Sequence, residues 1–175
     1  MHTRRLGFRK WRKDDIDIAL GLWGDYEVTK LIDARGKLSK DAVQERLNKE
    51  IACAKEHGIQ YWPIFLLTMD ENVGCCGLRP YDSAQGIYEI GVHIRSNHWQ
   101  CGYALEASHA VIRYAFGEHN MTALFAGHNP KNDTSRHLLK KLGFRYTHDE
   151  YYPPTGLNHP SYLMRPDEYT GMVFV

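Results

Sequence analysis

The sequence predicts a mixed α/β fold, in which a largely antiparallel sheet is flanked by helices. Three observations predict it. Residues 61–69, 73–78 and 87–94 are apolar runs of strand length, separated by the turn Asp70-Glu71-Asn72 and by the turn segment 81–86, which makes an antiparallel meander. Apolar residues at helical spacing lie on both sides of that meander in the chain. The order that results is strand, helices, three strands, helix, strand, helix, two strands, which suits one mixed sheet in a single domain over residues 1–175.

Each element has a local reason. Residues 6–11 alternate weakly and predict a first strand. Asp14 or Asp15 caps a helix through Ile16, Ile18, Ala19, Leu20 and Leu22, which Gly24 interrupts, and residues 25–31 form a second short helical turn. Ser39 is an N-cap for a helix over 40–57, with Val43, Leu47, Ile51 and Ala54 on one stripe and Gly58 at its C′ position. After the meander, the period turns helical at Gly102. Ala104, Ala107, Val111 and Ala115 then share a stripe that lets the helix lie close to a sheet or ligand. Residues 121–126 predict a strand, 134–141 a helix stopped by Gly143, and 146–152 and 161–164 two closing strands joined by a loop holding Pro153, Pro154, Gly156 and Pro160.

Composition narrows the function. A formal net charge of +1 argues against a general electrostatic grip on nucleic acid or membrane. No apolar run approaches the roughly 20 residues that span a bilayer, and the basic start Met1-His2-Thr3-Arg4-Arg5 lacks the apolar core of a secretory signal. Cys53, Cys75, Cys76 and Cys101 have no zinc-finger spacing and suit free thiols of a cytoplasmic protein. The histidines form no HExxH pair, so no metal site is expected.

The most informative segment is Trp99-Gln100-Cys101-Gly102-Tyr103-Ala104-Leu105-Glu106-Ala107. A strand, a tight turn with a small residue and a helix start collect unpaired backbone N–H groups, which is a site for phosphate. A second segment follows: Asn132-Asp133-Thr134-Ser135, then Lys141-Leu142-Gly143-Phe144. Upstream stand Arg9-Lys10-Trp11-Arg12-Lys13-Asp14-Asp15, Leu22-Trp23-Gly24-Asp25-Tyr26-Glu27-Val28-Thr29, and Glu89-Ile90-Gly91. With these motifs in this order and spacing, over nearly its whole length, the chain resembles the GCN5-related N-acetyltransferase (GNAT) superfamily. Within it, the chain resembles the branch of ribosomal-protein N-terminal acetyltransferases.

The resemblance implies a central sheet splayed between its fourth and fifth strands, acetyl-CoA as co-substrate, and an amine acceptor that attacks directly in a ternary complex without an acyl-enzyme. Val92, His93 and Ile94 would pair with the pantetheine arm through their backbone. Trp99, Gln100, Cys101, Gly102, Tyr103 and Ala104 would wrap the pyrophosphate, with the helix start adding its positive end. Asn132 would bond the pantetheine amides, and Ser135 would lie near the thiol as a proton donor. Lys131, Arg136, Lys140 and Lys141 either reach the adenosine phosphates or form a solvated face. The chain departs from the branch in two places. Gln100-Cys101 replaces the usual Gly-Lys, which removes a lysine charge and calls for ordinary backbone angles at Gln100. Val92 and His93 stand where the branch often has aromatics.

An amine with a pKa near 10 is about one part in a thousand neutral at pH 7, so a general base is expected. Glu89, a carboxylate in an apolar strand, is the first candidate; a salt-bridged surface glutamate is the alternative. Gly91 suggests a bulge that opens the cleft. His93 competes as base or acceptor contact, or is structural, and His128 is a weaker competitor. Tyr146, Tyr151 and Tyr152 border the acceptor side in the family, and Trp23, Tyr26 and the loop 33–37 form the opposite wall. The acceptor stays open among a protein N-terminus, an aminoglycoside, a polyamine and another small amine. A non-catalytic acyl-CoA-binding module is the alternative to an enzyme. The apolar tail Met172-Val173-Phe174-Val175 suits a homodimer interface.

Overall fold

A computed structural model of the chain describes residues 1–171, so the apolar tail lies outside the described residues. The strands are β1 (Leu6–Phe8), β2 (Tyr61–Leu66), β3 (Asn72–Asp82), β4 (Ile87–Ile94), β5 (Ala123–Gly127), β6 (Arg145–Tyr152) and β7 (Leu157–Met164). The helices are α1 (Ile16–Trp23), α2 (Tyr26–Thr29), α3 (Lys40–His57), α4 (Tyr103–Gly117) and α5 (Asp133–Leu142). One sheet forms in the spatial order β1-β2-β3-β4-β5-β7-β6. Every neighbour is antiparallel except β4 and β5, which run parallel.

That parallel pair positions the site. It pairs only Ile87, Tyr88 and Glu89 with Ala123, Leu124 and Phe125. Beyond Glu89, β4 keeps β3 on one side as far as Ile94 and, among the described residues, has no strand on the other. The sheet is therefore splayed between its fourth and fifth strands, as the resemblance implies.

Alternation distributes side chains to two cores. Tyr61 and Cys75 join α1, Leu38 and α3 on one face, while Trp62 and Cys76 join α4, α5 and β7 on the other. Two predicted caps form at α3, where the Ser39 side chain accepts from Ala42 N and Gly58 ends the helix at φ 73°. At α1 Asp15 stands at the N-cap position without a side-chain cap bond, because its carboxylate accepts from Arg12 N at 2.7 Å and pairs with Arg9 at 2.7 Å.

Five expectations need correction. β2 ends at Leu66, because residues 67–69 turn back on it and Asp70 N bonds Leu66 O at 2.9 Å. β1 ends at Phe8, because Trp11 turns into the α1–α3 core, where its indole donates to Tyr61 O at 2.7 Å. β3 runs on to Asp82, through a register shift between Pro80 and Asp82, because β4 supplies partners that far. Gly91 sits opposite Gly77 in regular register, with no bulge; a Cβ there would collide with the Tyr61 phenol. Pro160 lies inside β7, not in a loop. β5 pairs β7 only over Ser161 to Met164, so Pro160 stands where one edge of β7 carries no strand and a missing N–H costs no ladder bond.

Candidate active site

The splay opens a cleft of about 1050 Å³ that runs between α4, α5, the free edge of β4 and the β6–β7 hairpin. At one end lies the entry to α4. Gln100 holds φ 63° and Gly102 φ 79°, so both residues flanking Cys101 are left-handed. This overturns the expectation of ordinary angles at Gln100. A glutamine pays roughly 1–2 kcal/mol in that region, where the branch's glycine is free of strain. Among the described residues, none of the amides of 100–105 has an acceptor in the protein; the first helical bond is Glu106 N to Gly102 O at 3.2 Å. The loop conformation thus concentrates unpaired donors at the positive end of a helix, which is a seat for an anion.

Arg5 holds this loop, and nothing in the motif pointed to it. Its Nη1 donates to Cys101 O at 3.0 Å, its Nε pairs with Glu106 Oε2 at 2.6 Å, and its guanidinium lies 4.6 Å from the Tyr103 ring centroid. A Cβ built on Gly102 would stand 3.5 Å from Arg5 Nη2. A cation from β1's approach thus takes up a place beside the loop where the branch's lysine is missing.

Along the cleft, Val92, His93 and Ile94 line the wall on the unpaired edge of β4. Ile94 O is already occupied by the Trp99 indole N–H at 2.8 Å, so Trp99 fixes the exit of β4 as well as lining the cleft. Across from them, Asn132 caps α5 by accepting from Ser135 N at 3.0 Å. Ser135 is half-buried and lines the cleft, and among the described residues its Oγ has no protein partner. Lys141 borders the cleft, whereas Arg136 is paired with Asp133 at 2.9 Å.

Glu89 opens into the same cleft just where the strands part. The Tyr61 hydroxyl donates to its Oε1 at 3.1 Å, crossing the space that Gly91 leaves clear. Behind Tyr61, the Arg79 guanidinium stacks on its ring at 4.1 Å and ion-pairs with Glu50, which is 1% exposed and also accepts from Tyr61 N at 2.9 Å. Burial raises the Glu89 pKa above the usual 4.5; Arg79 and the Tyr61 hydrogen bond oppose that without cancelling it. Tyr61 itself is pushed well above 10 by burial and by Glu89, so it stays a donor.

His93 is placed differently. The Trp23 indole N–H donates to His93 Nδ1 at 3.2 Å. Burial, then Arg46 and Arg79, hold its pKa well below 6.5, so the ring is neutral. With Nδ1 accepting, the ring proton sits on Nε2, and His93 offers a donor rather than a base's lone pair. His128 has both nitrogens engaged, with Asn129 O at 2.8 Å and the Tyr162 hydroxyl at 3.3 Å.

The far end of the cleft is lined by Tyr81, Phe125, Glu150, Tyr151 and Tyr152. Tyr146 does not line it; its hydroxyl meets Asp149 at 3.3 Å. The opposite wall is Glu27, Lys30, Leu31 and Ile32, not Trp23 and Tyr26. Trp23 is fully buried behind His93 because its indole must reach Nδ1, and Tyr26 packs outward against Gly36. Asp33 and Arg35 border a separate cavity of about 590 Å³ beside α3.

Sequence reasoning missed Arg5, Tyr61, Glu50 and Arg79. Only Glu50 carried a signal, as a carboxylate within the apolar stripe of α3.

Residues 5–145 match the acetyltransferase (GNAT) domain family. The chain is 30% identical to the uncharacterized N-acetyltransferase p20 of Bacillus licheniformis over 145 residues, covering 83% of this chain and 82% of that one. Among solved structures it is similar to a GNAT-family acetyltransferase from Bacillus anthracis, with TM-score 0.83, 23% identity and coverage of 96% and 99%. It is also similar to RimL, the ribosomal L7/L12 alpha-N-protein acetyltransferase, solved in complex with coenzyme A, with TM-score 0.80, 11% identity and coverage of 96% and 98%. The chain belongs to the GNAT acetyltransferase family and is an acetyl-CoA-dependent N-acetyltransferase.

Proposed function

We propose that the β4–β5 cleft is the active site, with acetyl-CoA held between the unpaired edge of β4, the amides of 100–105 and the start of α5, and with Glu89 as the base for the acceptor amine. The observation that carries this reading is the meeting, in one cleft, of a run of unpaired amides at a helix start and a buried carboxylate of raised pKa. The donor set fits the cofactor. A pyrophosphate suits amides that have no protein acceptor, and an amide-bearing arm suits a strand edge that has no strand.

When bound, acetyl-CoA supplies an activated acetyl thioester. This chain's residues do the rest. Tyr61 orients the Glu89 carboxylate by donating to Oε1, and Glu89 accepts the proton of the amine. Ser135 Oγ, free of protein partners among the described residues, serves as a proton donor from α5, directly or through water. His93 contributes backbone to the β4 edge and a donor at Nε2, not a base. The unpaired thiols suit a reducing cytoplasm.

Acetyl-CoA at saturating concentration is expected to raise the melting temperature, and acetyl-CoA with a panel of amines is expected to release CoA. No thermal shift would remove the cofactor from this cleft. A shift without CoA release for any amine would leave a binding module instead of an enzyme.

A further inference from the structure

The β6–β7 hairpin overhangs the acceptor end of the cleft. β5 pairs β7 only as far as Ser161, whereas β6 and β7 pair on to Tyr152 and Leu157. This overhang is tied down at two points on the opposite side. Tyr81 on β3 donates its hydroxyl to Glu150 Oε2 at 2.8 Å, and Ala34 N, between α2 and α3, donates to Pro154 O at 2.9 Å. The acceptor end is thus bridged by chain, which suits a small molecule better than the terminus of a folded protein.

The charges lining that end are negative in balance, with Glu27, Glu89 and Glu150 against Lys30. Glu89 stands at the inner end and Glu150 at the bridge. Among the described residues lining this end, the one lysine or arginine is Lys30, which is paired with Glu27. Two arginines stand behind the wall and act on Glu89 from there, Arg79 engaged by Glu50 behind Tyr61 and Arg46 over the Trp23 ring at 4.8 Å. The nearest candidate cation to Glu150 is His148, at 3.9 Å. Around Glu150 the cleft presents aromatic faces. Tyr81 is stacked on Phe125 at 3.9 Å and 9°, and Tyr81, Tyr151 and Tyr152 are all notably exposed for large rings. A carboxylate among aromatic faces is an environment for an ammonium group, through ion pairing and cation–π attraction.

We propose that the acceptor is a small amine with a second cationic centre, held at Glu150 beside Tyr81 and Tyr152 while the reacting amine lies at Glu89. This rests on the cleft being the active site. The second ammonium keeps its proton and takes no part in the chemistry, so its contribution is to binding and orientation.

The test compares α,ω-diaminoalkanes of graded length with n-alkylamines of matched length and with a short peptide bearing a free N-terminus. A diamine is expected to have at least about a tenfold higher kcat/KM than its matched monoamine. Glu150→Gln, which keeps an acceptor for the Tyr81 hydroxyl, is expected to raise the diamine KM about tenfold with kcat nearly unchanged. The same substitution should leave the monoamine KM where it was. Tyr81→Phe, which keeps the ring and loses the hydroxyl, is expected to retain the diamine preference. Absence of a diamine preference, whatever else is acetylated, overturns the proposal, as does an equal rise in KM for diamine and monoamine in Glu150→Gln. Failure of acetyl-CoA to raise the melting temperature overturns the active-site reading instead.

Discussion

Glu89 shows how a neutral phenol and a buried ion pair set up one carboxylate. Its pKa is raised chiefly by burial, and the Tyr61 hydrogen bond pulls it back down because that bond favours the ionised form. A base works only when deprotonated, so the acid limb of kcat/KM is expected above the ordinary carboxylate value of 4.5. Tyr61→Phe removes a contact that stabilises the charge, so the limb should move to higher pH; a pH profile of both proteins measures the shift, and movement to lower pH would break this account. Glu89→Gln should lower kcat by about a hundredfold or more while the acetyl-CoA dissociation constant stays nearly the same. Glu89 was legible because a charge in an apolar strand needs a reason. Tyr61 was not, because a tyrosine in a strand is ordinary packing until the register places Gly91 beneath its phenol. Arg5 was invisible for another reason: its partner Cys101 lies 96 positions away, and no local pattern records such a contact. If Arg5 acts on the pyrophosphate, Arg5→Gln should raise KM for acetyl-CoA, leave KM for S-acetylpantetheine unchanged, and be partly restored by Arg5→Lys. An equal loss with both donors would reduce Arg5 to a structural role.

Among the elements, the turn into α4 joins a run of unpaired amides to a left-handed backbone. Gln100 at φ 63° occupies a conformation that glycine adopts freely. Gln100→Gly should therefore stabilise the fold by about 0.5 kcal/mol, the relief of left-handed strain less the added entropy of the unfolded chain. A urea midpoint that falls instead would mean the glutamine side chain supplies contacts that outweigh the strain. The helices were legible to within a residue or two wherever a cap marked them, as at Ser39 and Gly58. The strands were legible by alternation, but their ends depend on neighbours. β3 extends past Leu78 because β4 is there to pair with it, and Pro160 is admitted to β7 because β5 has already ended. The conformation of Gln100 is not legible in the sequence because a glutamine side chain favours ordinary angles, whereas here the loop, pinned by Arg5 at Cys101 O, imposes left-handed ones.

At the scale of the whole molecule, chain order and spatial order part company after β5. β7 inserts between β5 and β6, so the sequential pair of closing strands does not reveal which one touches the core. Burial separates them: β6 is exposed along most of its length, as an edge strand is, whereas Ser161, Tyr162 and Met164 of β7 are buried. The open half of the sheet leaves backbone donors in two places that a bound cofactor would cover together, the amides of 100–105 and the edge of β4 beyond Glu89. Amides without protein acceptors exchange quickly, so they give a wide range over which protection can be read. Adding acetyl-CoA should slow hydrogen exchange at 100–105 and at 90–94 together and leave α3 unchanged, since α3 packs on the other face of the sheet. S-acetylpantetheine should slow 90–94 alone. Protection of 90–94 by acetyl-CoA without protection of 100–105 would keep the pantetheine on β4 and take the pyrophosphate away from the α4 turn.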